Sequence, residues 1–371
     1  MPDYKTIVQQ LLLQAAVEVN GSAPWDIQVH NFDFYKRAVT QGTLGLGESY
    51  MDGWWSCDAV DQLFHRIIRA ELHKKMTIPF PKKISVIVNQ LLNMQTRNRS
   101  RRVVDEHYDP DSEIILSFLD PYNQYTCGYF KDTNDLNKAQ EQKLDLICRK
   151  LMLTPEDMVL DIGCGWGGFA RFAAERYDCK VTGISISSEQ IKYAKKFCEG
   201  LPVSFVTSDY RDLRGSFTKV LICGMIEHVG YKNYRTLIKQ VYNCLEDNGL
   251  FLLQTIGGNT SVSSGDRWLM KYIFPNSMLP SIQQITTAFE GLFVLEDLQN
   301  FGQYYDPTLM AWHDNFTRNW PGIKDRYDER FFRMWTYYFL HLAGSFRVRL
   351  NQLWQFVFSK RGVPGGYHPI R

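Results

Sequence analysis

"MVLDIGCGWGGFARFAAERY", residues 158–177, decides the fold. A short apolar run from Met158 to Ile162 gives way to glycines at 163, 165, 167 and 168, and then to residues with helical spacing. A turn of this composition lets backbone N–H groups come close to a ligand, because glycine has no Cβ and accepts positive φ. The same rhythm recurs in "CKVTGISISSEQIKYAKKFCE". "VSFVTSDYRDL", "FTKVLICGMIEHVG" and "LEDNGLFLLQTIG" add three further short apolar runs. Short buried strands alternating with helices predict a doubly wound, Rossmann-like α/β domain with a parallel sheet between helices.

The glycine turn admits more than one ligand. A G-x-G-x-G spacing is compatible with NAD, FAD or S-adenosylmethionine. The last is favoured by the acid Asp161 just ahead of the first glycine and by the late "LEDNGLFLL" run. A dinucleotide fold expects Asp or Glu at the end of the second strand. Here Ser185, Ser187 and Gln190 stand there instead, hydroxyls and an amide that can hold ribose hydroxyls.

At 371 residues, with 44% hydrophobic content, the chain has room for about two domains of 100 to 200 residues. "YKTIVQQLLLQAAVEV" and "AVDQLFHRIIRAEL" repeat apolar residues at three and four, so the smaller N-terminal domain is expected to be mainly helical. Between them the glycines and tryptophans of "GTLGLGESYMDGWWSCD" interrupt the period. The boundaries read as 1–102 for this domain, 103–120 for a linker and 121–371 for the α/β domain. Aromatic helices are expected in "ERFFRMWTYYFLHLAGSFRVRLNQLWQFVF", capping the site.

The N-terminus shows no secretion signal, and no run approaches the roughly 18 apolar residues of a membrane-crossing helix. Eight cysteines form neither a C-x-x-C pair nor a zinc array, which points to reduced thiols in a cytosol and to no metal site. The net charge of +2 conceals an asymmetry. Arg66 to Arg102 carries ten Lys or Arg against the single acid Glu71. Within it, "PKKISVIVNQLLNMQTRNRSRR" has an amphipathic pattern suited either to core packing or to an anionic membrane surface. It lacks the interleaved aromatics of a nucleic-acid surface, so nucleic acid is not expected as a partner.

Taken together, "GTLGLGESYMDGWW", "EHYD", "QYTCGYF", "VLDIGCGWGGFA", "GMIEHVG", "KYIFPN", "LPS" and "YDPTLMAW" resemble the bacterial cyclopropane-fatty-acyl-phospholipid synthases, from about residue 20 to 359. The resemblance implies a class I methyltransferase domain behind an N-terminal lipid-binding domain. It implies transfer of a methylene from S-adenosylmethionine to the cis double bond of a phospholipid acyl chain, with bound bicarbonate as the base. Alternatives are methyl addition without ring closure and a non-catalytic lipid-binding homologue. For the bicarbonate it implies Cys127, Glu227, Gln254, the amide of Ile256, and Tyr305, with Glu227 accepting the bicarbonate O–H. The family commonly has histidine where this chain has Gln254. For the cofactor it implies Tyr125, Thr126, Gly163, Cys164, Gly165, Trp166, Gly167, Ser185, Ser187, Gln190, Asp209 and Tyr210, the last packing near the adenine. His107 and Tyr108 are suggested either to close over the site or to serve as a structural linker, while His228 reads as orienting the following loop. A homodimer, peripheral on the inner face of the cytoplasmic membrane, is also implied.

The chemistry fits the composition. Cationic character develops on the alkene carbons, so the site should exclude water and offer ring faces. Aromatic residues make up 14% of the chain. Methyl transfer to an alkene requires no covalent enzyme intermediate. Cys127 therefore reads as a small wall residue rather than a nucleophile.

Overall fold

The computed structural model describes residues 3–75 and 112–371. The basic amphipathic segment 81–102, His107 and Tyr108, and the first half of the expected linker, 103–111, lie outside the described residues. Contacts group the chain into two units. One unites the N-terminal helices with Ser264–Pro275 and Tyr305–Asn351, and the other holds residues from 112 to Ser263, Asn276–Tyr304 and Gln352–Arg371. The sequence reading assigned all of 121–371 to one domain. The helices Tyr305–Asn319 and Glu329–Arg347 group instead with the N-terminal helices, because their buried aromatic faces meet that unit's rings, as at Phe64–Tyr337 (5.4 Å between centroids).

In the first unit the N-terminal helices span Tyr4–Leu13, Asp33–Gln41, Thr43–Met51 and Val60–Arg69. The third contains Gly45 and Gly47, where a broken period was expected. Gly47 is a point of contact rather than a break, since a Cβ there would stand 2.4 Å from the Trp268 ring. The acids of "GESYMD" are both paired. Glu48 accepts from Arg37 (2.7 Å), Lys271 (2.5 Å) and the Tyr272 hydroxyl (2.8 Å), and Asp52 from Arg37 (2.6 Å) and Arg330 (2.8 Å). Burial works against the Glu48 charge, but the hydrogen bonds from Lys271, Tyr272 and Arg37 outweigh it and hold its carboxyl at about 2. Of the basic residues that begin the charged segment, Arg66 lies over the Trp25 ring at 3.7 Å and Lys74 pairs with exposed Glu71 at 2.5 Å.

The second unit is built on strands β1 (Met158–Ile162), β2 (Lys180–Ser185), β3 (Val203–Thr207), β4 (Phe217–Cys223), β5 (Leu245–Gly258), β6 (Val294–Asn300) and β7 (Asn351–Ser359). Their spatial order is β3-β2-β1-β4-β5-β7-β6. The first five pair in parallel, and β6 and β7 are antiparallel to each other. Both faces are buried, and alternation divides the side chains. Val220, Ile222, Phe251, Leu253 and Phe356 enter one apolar cluster, and Leu221, Leu250, Leu252 and Val357 the other.

The order reverses between β1 and β4. In open α/β sheets such a point, outside the carboxyl ends of the strands, is where ligands bind. One expectation is corrected here. "NQLWQFVFS" continues the aromatic helix in the sequence reading, whereas it forms β7, a strand buried on both faces, so its continuous hydrophobicity carries no period of two.

Candidate active site

The chain leaves β1 through a turn in which Gly163, Gly165 and Gly167 have φ of +88°, +52° and +85°. The amides of Gly163 and Cys164 donate to the Ile184 carbonyl of β2 at 2.9 and 3.0 Å, tying the turn to the neighbouring strand. At Gly165 an added Cβ would meet nothing within 4 Å, so the backbone there is both left-handed and open to close approach. Cys164 and Trp166 are buried. The turn leads into the helix Gly168–Tyr177.

Asp161, on β1, is 3% exposed, and burial pushes its carboxyl up to about 7 against the pull of the Lys143 ammonium. At the end of β2, the Ser185 hydroxyl donates to Gln190 Oε1 (2.9 Å), and Ser187 caps the next helix by accepting the Gln190 amide (3.1 Å). The three residues expected to hold ribose hydroxyls thus form one linked group. After β3, the buried Asp209 carboxylate is held by the Arg211 guanidinium at 2.9 and 3.2 Å. Tyr210 is neither a surface residue nor isolated. It joins the apolar cluster around Ile162 and Ile184, and burial pushes its hydroxyl up to about 12.

The segment Tyr122–Cys127 runs from the start of the helix Gly168–Tyr177, where Tyr122 and Gln124 crowd Gly168, to the end of β4, where the Cys223 thiol lies 3.8 Å from Thr126 Oγ1. Cys127 is fully buried, and its thiol lies 3.2 Å from the Gly128 carbonyl. Thr126 accepts at Oγ1 from Lys143 (3.0 Å) and at its carbonyl from Gln140 (2.7 Å). Tyr125 meets Phe118 edge to face at 5.8 Å.

Glu227 sits in the short turn Ile226–His228 that follows β4 and is 5% exposed. Its Oε1 accepts from the Ile256 amide of β5 at 2.8 Å, and its Oε2 has no hydrogen-bond partner among the described residues. Burial pushes this carboxyl up to about 7. The neighbouring His228 imidazole is driven down to about 4 by burial, which leaves it neutral.

Gln254 precedes Ile256 by two residues on β5 and is 1% exposed. Its Oε1 accepts from Gln355 Nε2 of β7 at 2.8 Å, which leaves Nε2, a donor, without a partner among the described residues. Glu227 and Ile256 are therefore brought together, at the end of the strand that also carries Gln254. The Ile256 amide, expected to hold the anion itself, is engaged by Glu227. Tyr305 belongs to the other unit, where its ring stacks on Phe346 at 4.4 Å.

Sequence reasoning missed three residues here. Gln355 was read as helical. Tyr234 buries a hydroxyl with no partner among the described residues, and the Glu227 charge helps to raise its pKa beyond the effect of burial. Lys143 is wholly buried on the helix Leu136–Lys150. A signal existed for it: Leu136, Gln140, Lys143, Ile147 and Lys150 share a helical stripe, and polar residues in an apolar stripe ask for buried partners.

The sequence profile described as mycolic acid cyclopropane synthetase matches residues 95–356. The chain is 49% identical, over its full length and 97% of the relative's, to the cyclopropane-fatty-acyl-phospholipid synthase of Escherichia coli. Among solved structures, it resembles the cyclopropane synthase MmaA2 from Mycobacterium tuberculosis with a TM-score of 0.66 and 26% identity, covering 72% of this chain and all of that one. It also resembles mycolic acid cyclopropane synthase CmaA1, solved with SAH and CTAB, with a TM-score of 0.64 and 26% identity, covering 70% of this chain and 98% of that one. With its sheet order, glycine turn and match over most of its length, the chain belongs to the mycolic acid cyclopropane synthetase family and is a class I S-adenosylmethionine-dependent methyltransferase.

Proposed function

We propose that this protein transfers a methylene from S-adenosylmethionine to the cis double bond of an unsaturated phospholipid acyl chain, forming a cyclopropane ring, with bicarbonate as the base. The observation that carries the reading is the pair of buried polar atoms at the end of β5. Glu227 Oε2 and Gln254 Nε2 are buried and lack partners among the described residues; Glu227 is tied to β5 by the Ile256 amide, and Gln254 stands two residues earlier on that strand. A buried polar atom without a partner costs about 1–3 kcal/mol, so such a pair fits a polar ligand. One atom accepts or holds a proton and the other donates. Bicarbonate has one O–H and acceptor oxygens to match.

S-adenosylmethionine, when bound, supplies an electrophilic methyl to the alkene. Bicarbonate, when bound, supplies the base for the proton lost as the ring closes. The protein's own groups prepare both events. The glycine turn, Tyr125, Thr126, the Ser185–Ser187–Gln190 group, Asp209 and Tyr210 would hold the cofactor. Glu227, with a carboxyl near 7, can accept an O–H hydrogen bond without a full buried charge beside an anion. The Ile256 amide fixes its orientation. Gln254 donates but cannot relay a proton, unlike a histidine. Cys127 completes the anion's surroundings in this reading. Incubation with unsaturated phospholipid vesicles and labelled S-adenosylmethionine, followed by fatty-acid chromatography and NMR, tests it. Cyclopropane ring protons are expected; a branched methyl product would assign C-methylation instead, and no transfer would overturn the reading.

We extend the proposal to the assembly. Residues 1–102 bind lipid, 121–371 carry catalysis, and Arg66 to Arg102 brings a homodimer to the inner face of the cytoplasmic membrane. The local charge supports this, at about 1 kcal/mol per basic residue near anionic headgroups. Binding to anionic vesicles should weaken steeply with salt, and salt-insensitive binding would remove the role. Sedimentation should give twice the chain mass.

A further inference from the structure

Lys143 is a buried cation that the chemistry above does not use. Its ammonium donates to Thr126 Oγ1 at 3.0 Å and to Gln124 Oε1. Both acceptors lie on the segment Tyr122–Cys127, and other groups pin the same segment. Asp120 takes the amides of Tyr122 and Gln124, both at 2.8 Å, and Gln140 donates to the Thr126 carbonyl at 2.7 Å. The segment lies directly on the start of the helix that follows the glycine turn. A Cβ on Gly168 would fall 1.7 Å from the Tyr122 carbonyl oxygen and 2.4 Å from Gln124 Nε2.

The charges around Lys143 come from several elements. Burial pulls the ammonium below its usual range, while Cys223 of β4, Asp120, Cys127 and Asp161 of β1 act in the opposite direction. A buried lysine is costly unless its donors are satisfied and acids stand near. Here the acceptors and the nearby acids all belong to the segment, the two strand ends, or the chain just ahead of the segment.

We propose that Lys143 is a positioning residue for S-adenosylmethionine, holding Gln124 against the start of the helix after the glycine turn and Thr126 against the end of β4, and setting cofactor affinity through that segment. This rests on the cofactor site proposed above. It requires that removing the ammonium loosen Tyr125 and Thr126 while the rest of the sheet edge stays in place.

The test is isothermal titration of the full chain with S-adenosylhomocysteine, together with steady-state kinetics in S-adenosylmethionine. Lys143→Met should weaken binding by roughly 10- to 100-fold and raise KM similarly, with kcat at saturation within about threefold of the parent. Gln124→Leu should move affinity in the same direction by a smaller factor. The double variant should be no weaker than Lys143→Met, within about twofold, because the two side chains act as one unit. A parent chain that binds no cofactor would overturn the functional reading itself. A parent that binds, with a folded Lys143→Met variant within about twofold of it, would overturn only the positioning role and leave Lys143 to stability. If Lys143→Met fails to fold, Gln124→Leu decides by the same criterion.

Discussion

The Ile256 amide donates to Glu227 Oε1 at 2.8 Å, joining the end of β5 to the turn after β4. The bond turns one carboxylate oxygen into a fixed acceptor and leaves the other, Oε2, buried without a hydrogen-bond partner among the described residues. A carboxyl so held, with its pKa near 7, can carry a proton at neutral pH without being a strong acid.

Glu227→Gln should lower turnover by about 100- to 10,000-fold, the range for a positioned proton-handling group. Its effect on stability has the opposite sign. The folded pKa of about 7 lies above the ordinary 4.5. The parent therefore has its full stability below pH 4.5 and loses it as pH rises through 7. The variant lacks that loss and should be the more stable protein at pH 8, with the difference closing toward pH 4.5. Denaturant melts at both pH values check this, and a variant less stable at pH 8 would contradict the assignment.

Gln254→Ala should reduce activity and recover part of it at high bicarbonate, since the change removes a donor to the ion and leaves the other groups in place. Rates measured across a bicarbonate series decide, and an unchanged rate removes Gln254 from the site.

Cys127→Ser should keep measurable activity. Its fully buried thiol reads as part of the wall, and the reaction calls for no covalent enzyme intermediate. Complete loss in a variant with a normal melting curve would make the thiol a nucleophile again.

Gly165→Ala places a Cβ at φ +52° in open space. Strain should cost about 1–2 kcal/mol in a urea melt. Cofactor affinity should fall further than that cost explains, because the methyl occupies the approach to the turn. Titration with S-adenosylhomocysteine separates the two effects.

Glu48→Gln should destabilise the protein by about 1–3 kcal/mol at pH 7, through the unmatched Lys271 and Arg37 donors. The Glu48 carboxyl is depressed from 4.5 to about 2, so the parent's advantage is present above pH 4.5 and vanishes as pH falls through 2. Melts at pH 7 and pH 3 should show the gap narrowing.

Local signals made much of this chain legible. The glycines at 163, 165 and 167 announce their turn because no other residue adopts positive φ so readily. Glu227, Gln254 and Ile256 could be named from motifs that match the family. The strand Asn351–Ser359 was misread because burial on both faces erases the alternation that marks a strand. Gly47 looked like a helix breaker until the ring it touches, Trp268, was in place some 220 residues away.

The sequence by itself determined the α/β class, the glycine turn and the residue types at the strand ends, since these follow from local spacing and backbone freedom. Only the tertiary structure decided which of those residues meet. It placed the Ile256 amide on Glu227, tied the Gln254 carbonyl to Gln355 and left its donor without a partner among the described residues, and set Lys143 beside Thr126. Each of these pairings joins separate elements of the chain. Burial then shifted the carboxyls of Asp161 and Glu227 toward 7, and how far a group is desolvated is a property of everything packed around it.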